Sequence, residues 1–274
     1  MIRMSEPGVP LSETTEFTYL GRLLDSLELV GRPSRATSYR DAARQLGAPV
    51  STAHRLLSLL IERGYCERGD DGRFGAGARM FGLATRVLEQ LPRWQSAQRI
   101  VDELALATGE SASFGVLVGR EIVLTARRNS PHPLTAIANV GDILSPYTSA
   151  LGKVILARLG EDQRAAVVDR HAPGEAKAIL EGLQVELDSV DAAGYSVDEE
   201  TFSPGMRCRA VPVVDATSGL VAGLSVSGPT VRFTAERAQS VVPLLLEAAD
   251  RILSRPPPSA PAADSTREPS PAPN

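Results

Sequence analysis

The chain has 274 residues, 43% of them hydrophobic and 23% charged, with a formal net charge of −4. That is enough for two domains of roughly 100–200 residues each, and the composition excludes disordered and fibrous classes. Cys66 and Cys208 stand alone without a Cys-x-x-Cys pair, which excludes a disulfide scaffold and a zinc finger; no apolar run approaches the roughly 20 residues of a membrane span, and Ser, Glu and Pro in residues 1–15 argue against a signal peptide, so a cytoplasmic protein is expected.

Residues 1–13 read as a loose leader. From Glu16 to Val30 the residues Phe17, Leu20, Leu23, Leu24, Leu27 and Val30 recur at helical spacing and predict a buried stripe on a first helix. The period breaks over Gly31 to Thr37; Ser38 followed by Asp41 is then a capping signature for a short helix ending at Leu46 and Gly47. Pro49 suits the start of a third helix, with Val50, Ala53, Leu57 and Leu60 on its inner face and a stop at Gly64. Strand-like pieces at Tyr65 to Arg68 and Arg73 to Phe74 flank Gly69-Asp-Asp-Gly72, a hairpin-turn signal. Three helices and a hairpin predict a winged helix-turn-helix over residues 14–77.

Met80, Phe81, Ala84, Val87, Leu88 and Leu91 predict an amphipathic linker helix over residues 78–92, a surface that can pair with a second copy. Residues 93–255 read as an α+β domain. A helix is expected from Trp94 to Ala107, with strands at Ala112–Val118, Glu121–Arg127 and after Pro133. A helix over Thr148–Leu159 and further helical segments to Ala193 follow. Strands at Met206–Val214 and Leu220–Ser227 and a last helix at Thr234–Leu253 close the domain. Residues 256–274 hold seven Pro among Ala and Ser and are expected to be disordered.

Charge divides along the chain. Residues 31–79 carry nine Arg against five acids, whereas residues 91–274 carry 17 basic and 22 acidic groups. A local basic face is what nucleic acid reads. The third helix presents Ser51, Thr52, His54, Arg55 and Ser58 outward, at a spacing that suits a helix in the major groove, and Arg55 can donate two hydrogen bonds to a guanine edge. Ser38, Tyr39 and Arg40 at the start of the preceding helix, with Arg68 and Arg73 beside the hairpin turn, are placed for phosphate contacts. The plainer alternative is a helical domain whose polar face is only solvated. His54 has no second His or acid at ligand spacing, so no metal is expected.

Three stretches resemble the IclR family of bacterial transcriptional regulators. They are Ala48-Pro-Val-Ser-Thr-Ala-His-Arg-Leu-Leu57 running to Glu62-Arg-Gly-Tyr65; Gly141-Asp-Ile-Leu-Ser-Pro-Tyr-Thr-Ser-Ala-Leu-Gly-Lys153; and Gly194-Tyr-Ser-Val-Asp-Glu-Glu-Thr-Phe-Ser-Pro-Gly-Met-Arg-Cys208, continuing through Pro212 to Leu224-Ser-Val-Ser-Gly-Pro229. The resemblance spans Phe17 to Leu253. It implies a GAF-like effector domain, dimers through the DNA-binding half and linker helix, often tetramers on DNA, and a palindromic double-stranded operator. It also implies a small-molecule pocket at Ala150, Leu151, Asp198, Cys208, Ser225 and Ser227, for which a small organic or aromatic acid is the expected occupant, with repression rather than activation as the expected output. Plain core roles are the alternative for these residues. Arg209 stands where the family usually has an apolar side chain. Strand alternation points it away from the pocket, toward a surface or subunit contact, unless a bulge turns it inward.

Enzyme readings fail on spacing. Gly152-Lys153 lacks the first Gly of a phosphate loop, where Tyr147 stands, and has Val154 in place of Ser or Thr. Ser225 and Ser227 lie in no Gly-x-Ser-x-Gly elbow, Ser149 is four residues from Lys153 where a Ser-x-x-Lys nucleophile needs three, and His54, His132 and His171 lie in no motif. No cofactor and no catalysis are expected. The remaining alternative is a small-molecule-binding or interaction module that does not touch DNA.

Overall fold

The computed structural model describes residues 18–31, 38–89, 93–135 and 138–254; the expectations for Phe17, the 1–13 leader, the break before Ser38, Leu91 and the 256–274 tail lie outside the described residues. The chain divides after Leu91 into two compact units.

The first unit contains α1 (Thr18–Gly31), α2 (Tyr39–Gln45), α3 (Val50–Glu62), an antiparallel hairpin of β1 (Cys66–Arg68) and β2 (Phe74–Ala76), and α4 (Ala78–Glu89). Its core is Leu29, Val30, Ala42, Leu57, Leu60, Cys66 and Phe74. Each large side chain buried there contributes about 1.5–3 kcal/mol. Ser38 caps α2, its Oγ accepting from Asp41 N–H at 3.1 Å, and Gly64 follows α3 at φ +72, a conformation only glycine adopts without strain. Two sequence assignments need correction. Leu20 and Leu24 are 56% and 62% exposed, so they leave the apolar stripe of α1 while Leu23, Leu27 and Val30 pack on the core, and Val50 in the first turn of α3 is exposed while Leu56 takes its place inside. On α4 the described apolar side chains are largely uncovered: Phe81, Leu83 and Val87 are exposed, while Met80 packs on the core.

The second unit is α+β. A six-stranded, wholly antiparallel sheet has the order β5-β4-β3-β8-β7-β6, built from β3 (Ser111–Val118), β4 (Glu121–Arg128), β5 (Ile143–Leu144), β6 (Ser196–Glu199), β7 (Met206–Asp215) and β8 (Leu220–Pro229). One face is covered by α5 (Trp94–Thr108) and α9 (Ala235–Ser254) around Phe114, Val211, Leu224 and Phe233. The other carries α6 (Ala150–Ala157), α7 (Glu161–His171) and α8 (Ala176–Ala193) around Ile122, Leu124, Val154 and Ile155. The third strand expected after Pro133 is only the two residues of β5, and β6 is a strand that sequence patterning missed.

Helix α6 sits directly on the sheet because Gly223 of β8 leaves room for it: a Cβ there would meet Leu151 Cδ2 at 2.8 Å and Val154 Cγ2 at 2.9 Å. Gly152 likewise lets the first turn of α6 close on the carbonyls of Ser145 and Pro146. All eight residues of α6 are buried, Lys153 included, whose Nζ reaches Glu186 at 2.5 Å and the Val197 carbonyl at 3.4 Å.

Candidate functional sites

The polar face of α3 emerges as the sequence suggested in outline. Ser51, His54 and Arg55 are exposed, Thr52 and Ser58 half-buried. Arg55 lies over the exposed Tyr19 ring of α1, its guanidinium carbon 5.5 Å from the ring centroid, which holds the side chain up from the helix. Around α2 the structure adds packing duties to the expected phosphate contacts. The Tyr39 ring lies between His54 at 4.4 Å and Phe74 at 4.9 Å, and the Ser38 hydroxyl is engaged as the helix cap. Arg40 is exposed. In the hairpin, Arg68 donates through Nε to the Gly72 carbonyl at 3.1 Å and covers Tyr39 and Phe74, while Arg73 stands 3.6 Å from Asp71. His54, Tyr39, Phe74 and Arg68 therefore form one stack that fixes α2, α3 and the hairpin as a rigid set.

In the second unit, Ala150, Leu151, Asp198, Cys208, Ser225 and Ser227 all line a single cavity of about 600 Å³, its open mouth included. Its floor is the sheet. Cross-strand register sets two polar rows side by side on that floor: Arg127, Ser113 and Ser225 are successive partners on β4, β3 and β8, and Ser227, Cys208 and Asp198 are successive partners on β8, β7 and β6. The roof begins at α6, whose N-cap Ser149 also lines the cavity and accepts from Gly152 N–H at 2.9 Å. Ser196 Oγ donates to the Ala150 carbonyl at 2.7 Å and pins α6 to β6.

Asp198 is 3% exposed. Burial raises its pKa, against the lowering effect of backbone N–H bonds from Phe202 (3.2 Å) and Thr201 (2.9 Å) to Oδ1 and of the Lys153 charge. Burial, with Asp198 nearby, pushes the Cys208 thiol up to about 12, so it stays protonated and unreactive. Sequence reasoning missed Ser113, Arg127, Phe202 and Met206. Arg127 is the most consequential of these: Nη1 donates to Ser113 Oγ and Nε to Asn129 Oδ1, both at 2.7 Å, and burial lowers its pKa.

Arg127 faces the cavity because β4 carries a bulge. Phe114 pairs with Ala126 but Gly115 pairs with Leu124, leaving Thr125 as the extra residue. Alternation flips there: Ile122 and Leu124 belong to the core beneath α6, Ala126 to the core beneath α5 and α9. Arg127 is thereby turned toward α6, and Arg128 toward Asp102 of α5 at 3.9 Å. The displaced Thr125 carbonyl accepts from Trp94 Nε1 at 3.1 Å, and the Thr125 hydroxyl donates to the Phe114 carbonyl at 3.3 Å. Arg209, by contrast, does not line the cavity. It is buried on the opposite face of β7, paired with Glu199 at 2.8 Å and donating to the Cys208 carbonyl at 3.0 Å, so the inward alternative for it is discarded in favour of an ion pair within the chain.

Comparison with known proteins covers both units. Residues 85–254 match the model described as bacterial transcriptional regulator IclR C-terminal, and residues 20–70 match the IclR helix-turn-helix domain. The chain is 32% identical to the HTH-type transcriptional regulator KdgR of Escherichia coli K12 over 207 residues, 74% of this chain and 79% of that protein. It is 28% identical to the transcriptional repressor IclR of the same organism over 258 residues, 91% and 94% of the two chains. Among solved structures, an IclR homolog complexed with 4-hydroxybenzoate from Microbacterium hydrocarbonoxydans superposes with a TM-score of 0.69 at 26% identity, covering 85% of this chain and 97% of that one.

Proposed function

Because the chain belongs to the IclR family of bacterial transcriptional regulators, we propose that it is a repressor that grips a palindromic operator through α3 and is modulated by a small organic or aromatic acid in the sheet-floored cavity. Its named relatives are transcriptional regulators, not enzymes. The observation that carries the effector half is the convergence of the six resemblance-implied residues on one polar-floored cavity. A structurally similar IclR homolog was solved in complex with 4-hydroxybenzoate, an aromatic acid.

On this reading residues 14–77 bind DNA, 78–92 form a linker helix and 93–255 hold the effector. The uncovered apolar side chains Leu20 and Leu24 on α1 and Phe81, Leu83 and Val87 on α4 supply a face for a second subunit. A homodimer, or a tetramer built from two, then matches a two-fold operator. Effector binding changes operator affinity only through unequal affinity for two arrangements of the subunits.

The test is gel retardation of the DNA upstream of its own gene. Retardation that weakens steeply with salt is expected, with Arg55→Ala losing about 1–3 kcal/mol of specific binding while its circular dichroism spectrum is unchanged. A folded Arg55→Ala protein with a normal footprint removes Arg55 from the reading role. No retardation of promoter fragments by the wild type at low ionic strength sinks the regulator reading and leaves a small-molecule-binding module.

A further inference from the structure

We infer that Arg93 and Trp94, where the chain enters the second unit, relay occupancy of the cavity to the DNA-binding half, and that the bond from Trp94 to the Thr125 carbonyl carries the change. This rests on the cavity being the effector site and on the first unit binding DNA. It goes beyond both by naming the contact through which one acts on the other.

Three observations carry the inference. First, the entry of the chain is bonded to the one irregular point of the cavity floor. The chain divides after Leu91, so whatever holds residues 93 and 94 also holds the end of the linker segment. Trp94 Nε1 donates to the carbonyl of Thr125, the extra residue of the β4 bulge, at 3.1 Å. On either side of Thr125, Leu124 and Arg127 line the cavity. A bulge interrupts the ladder, so the strand shifts there at less cost than where pairing is continuous. A guest pressing on Leu124 and Arg127 therefore moves the acceptor of the Trp94 bond.

Second, the neighbouring residue supplies a fixed point. Arg93 has a left-handed backbone at φ 62, a conformation that a non-glycine residue keeps only when its surroundings enforce it. Its Nε and Nη2 hold Asp215 Oδ2 at 2.9 and 2.8 Å, and Nη1 donates to the Ile252 carbonyl at 3.0 Å. Asp215 is itself fixed, Oδ1 accepting from the Thr217 N–H at 3.1 Å and hydroxyl at 2.6 Å. Arg93 thus ties the entry to the β7–β8 turn and to the end of α9, while Trp94 ties it to β4. Displacement of the bulge acts one residue away from an anchored point, and turns the chain there instead of being absorbed.

Third, Arg93, Trp94 and Asp215 do not line the cavity. Trp94 begins α5, which lies on the face of the sheet away from α6, so it reaches the bulge from the side that the guest does not touch. Such a residue is placed to couple rather than to bind. Other bonds of the cavity wall run elsewhere: Ser196 to the Ala150 carbonyl, and Arg207 to Glu199 and the Phe233 carbonyl, end far from the entry.

The experiment measures the ratio of operator affinities with and without 4-hydroxybenzoate, on DNA from upstream of its own gene, together with calorimetric binding of the acid. A wild-type ratio of roughly 5- to 150-fold is expected. Trp94→Phe, which keeps a ring and removes the donor, should still bind the acid and the DNA but shrink the ratio roughly 2- to 10-fold, the loss of one neutral hydrogen bond. Arg93→Gly, which suits the left-handed backbone and removes the clamp, should shrink it likewise. A purely structural role would lower melting and both affinities while leaving their ratio unchanged. Because Trp94 is the only tryptophan, its emission reads the contact directly and should shift when the acid binds. It should shift also in Ser227→Phe, where a ring fills the cavity from a half-buried floor position.

A wild-type ratio in folded Trp94→Phe overturns the relay and leaves the cavity reading standing. Acid binding that Ser227→Phe does not disturb overturns the cavity reading itself. If the wild type binds no acid at millimolar concentration, the acid class falls and Ser227→Phe serves as the occupant: its effect on operator affinity must shrink when Trp94→Phe is added, and strict additivity overturns the relay. If the wild type retards no promoter DNA, the regulator reading falls, and with it the relay to DNA, while a Trp94 emission that neither the acid nor Ser227→Phe changes overturns the coupling of cavity to entry as well.

Discussion

The seat of α6 on the sheet gives a quantitative test of how the cavity is held open. In Gly223→Ala a methyl group enters a space where its nearest neighbours, Leu151 Cδ2 and Val154 Cγ2, would lie at 2.8 and 2.9 Å. Carbon atoms prefer separations of about 3.5–4.0 Å, so the helix must lift, or both side chains must move, by roughly 0.6–1.2 Å. Overpacking of this kind costs about 1–3 kcal/mol. For a unit of this size each kcal/mol lowers the melting temperature by about 2–4 °C, which gives a fall of roughly 2–12 °C by differential scanning calorimetry at neutral pH. Adding Val154→Ala removes one of the two clashing groups, so the double variant should lose less than the sum of the single ones, with a coupling of about 0.5–3 kcal/mol. Because Leu151 lines the cavity, acid binding should weaken in Gly223→Ala although residue 223 touches no ligand. An unchanged melting temperature, or strict additivity in the cycle, refutes the argument that α6 rests on that glycine.

Two further outcomes follow from other parts of the molecule. Asp198→Asn keeps an oxygen for the Thr201 and Phe202 N–H groups and removes a charge that burial disfavours. It should melt at or above the wild type at pH 7–8, whereas Asp198→Ala should cost about 1–2 kcal/mol through the lost bonds. The raised pKa sets the sign: the folded state favours the protonated carboxyl, so the penalty relieved by Asn is present above that raised value and fades as pH falls through it. An advantage that grows on acidification contradicts this. Phe81→Glu places a charge on the uncovered face of α4 and should shift sedimentation toward monomer with no loss of helix; an oligomer of unchanged mass excludes that face as the subunit contact.

The winged helix was legible because its signals are local. Ser38 and Asp41 cap α2, Gly64 stops α3, and the Gly69-to-Gly72 run makes the hairpin turn. Periodicity alone says that a face is apolar, not what covers it, which is why Leu20 and Leu24 were assigned to the core. On the cavity floor the six residues implied by family resemblance lie together, but Arg127 was invisible. Its direction depends on a one-residue slip at Thr125, and that slip is stabilised by Trp94, which is 31 residues away in sequence. β6 was missed because Ser196, Asp198 and Glu199 lack strand-forming composition; it exists because β7 offers it an edge.

The floor of the cavity is assembled from single side chains contributed by separate strands whose backbones are held by the ladder, with Ser113, Ser225, Cys208 and Asp198 each drawn from a different one. Such a surface behaves like a keyboard on a fixed frame. A point change on one strand alters a single contact with the guest and leaves its neighbours in place, so new chemical tastes are reachable in small steps. The element least open to revision is the Thr125 kink, since straightening it would exchange Arg127 for Arg128 in the cavity and uncouple Arg128 from Asp102 at the same time.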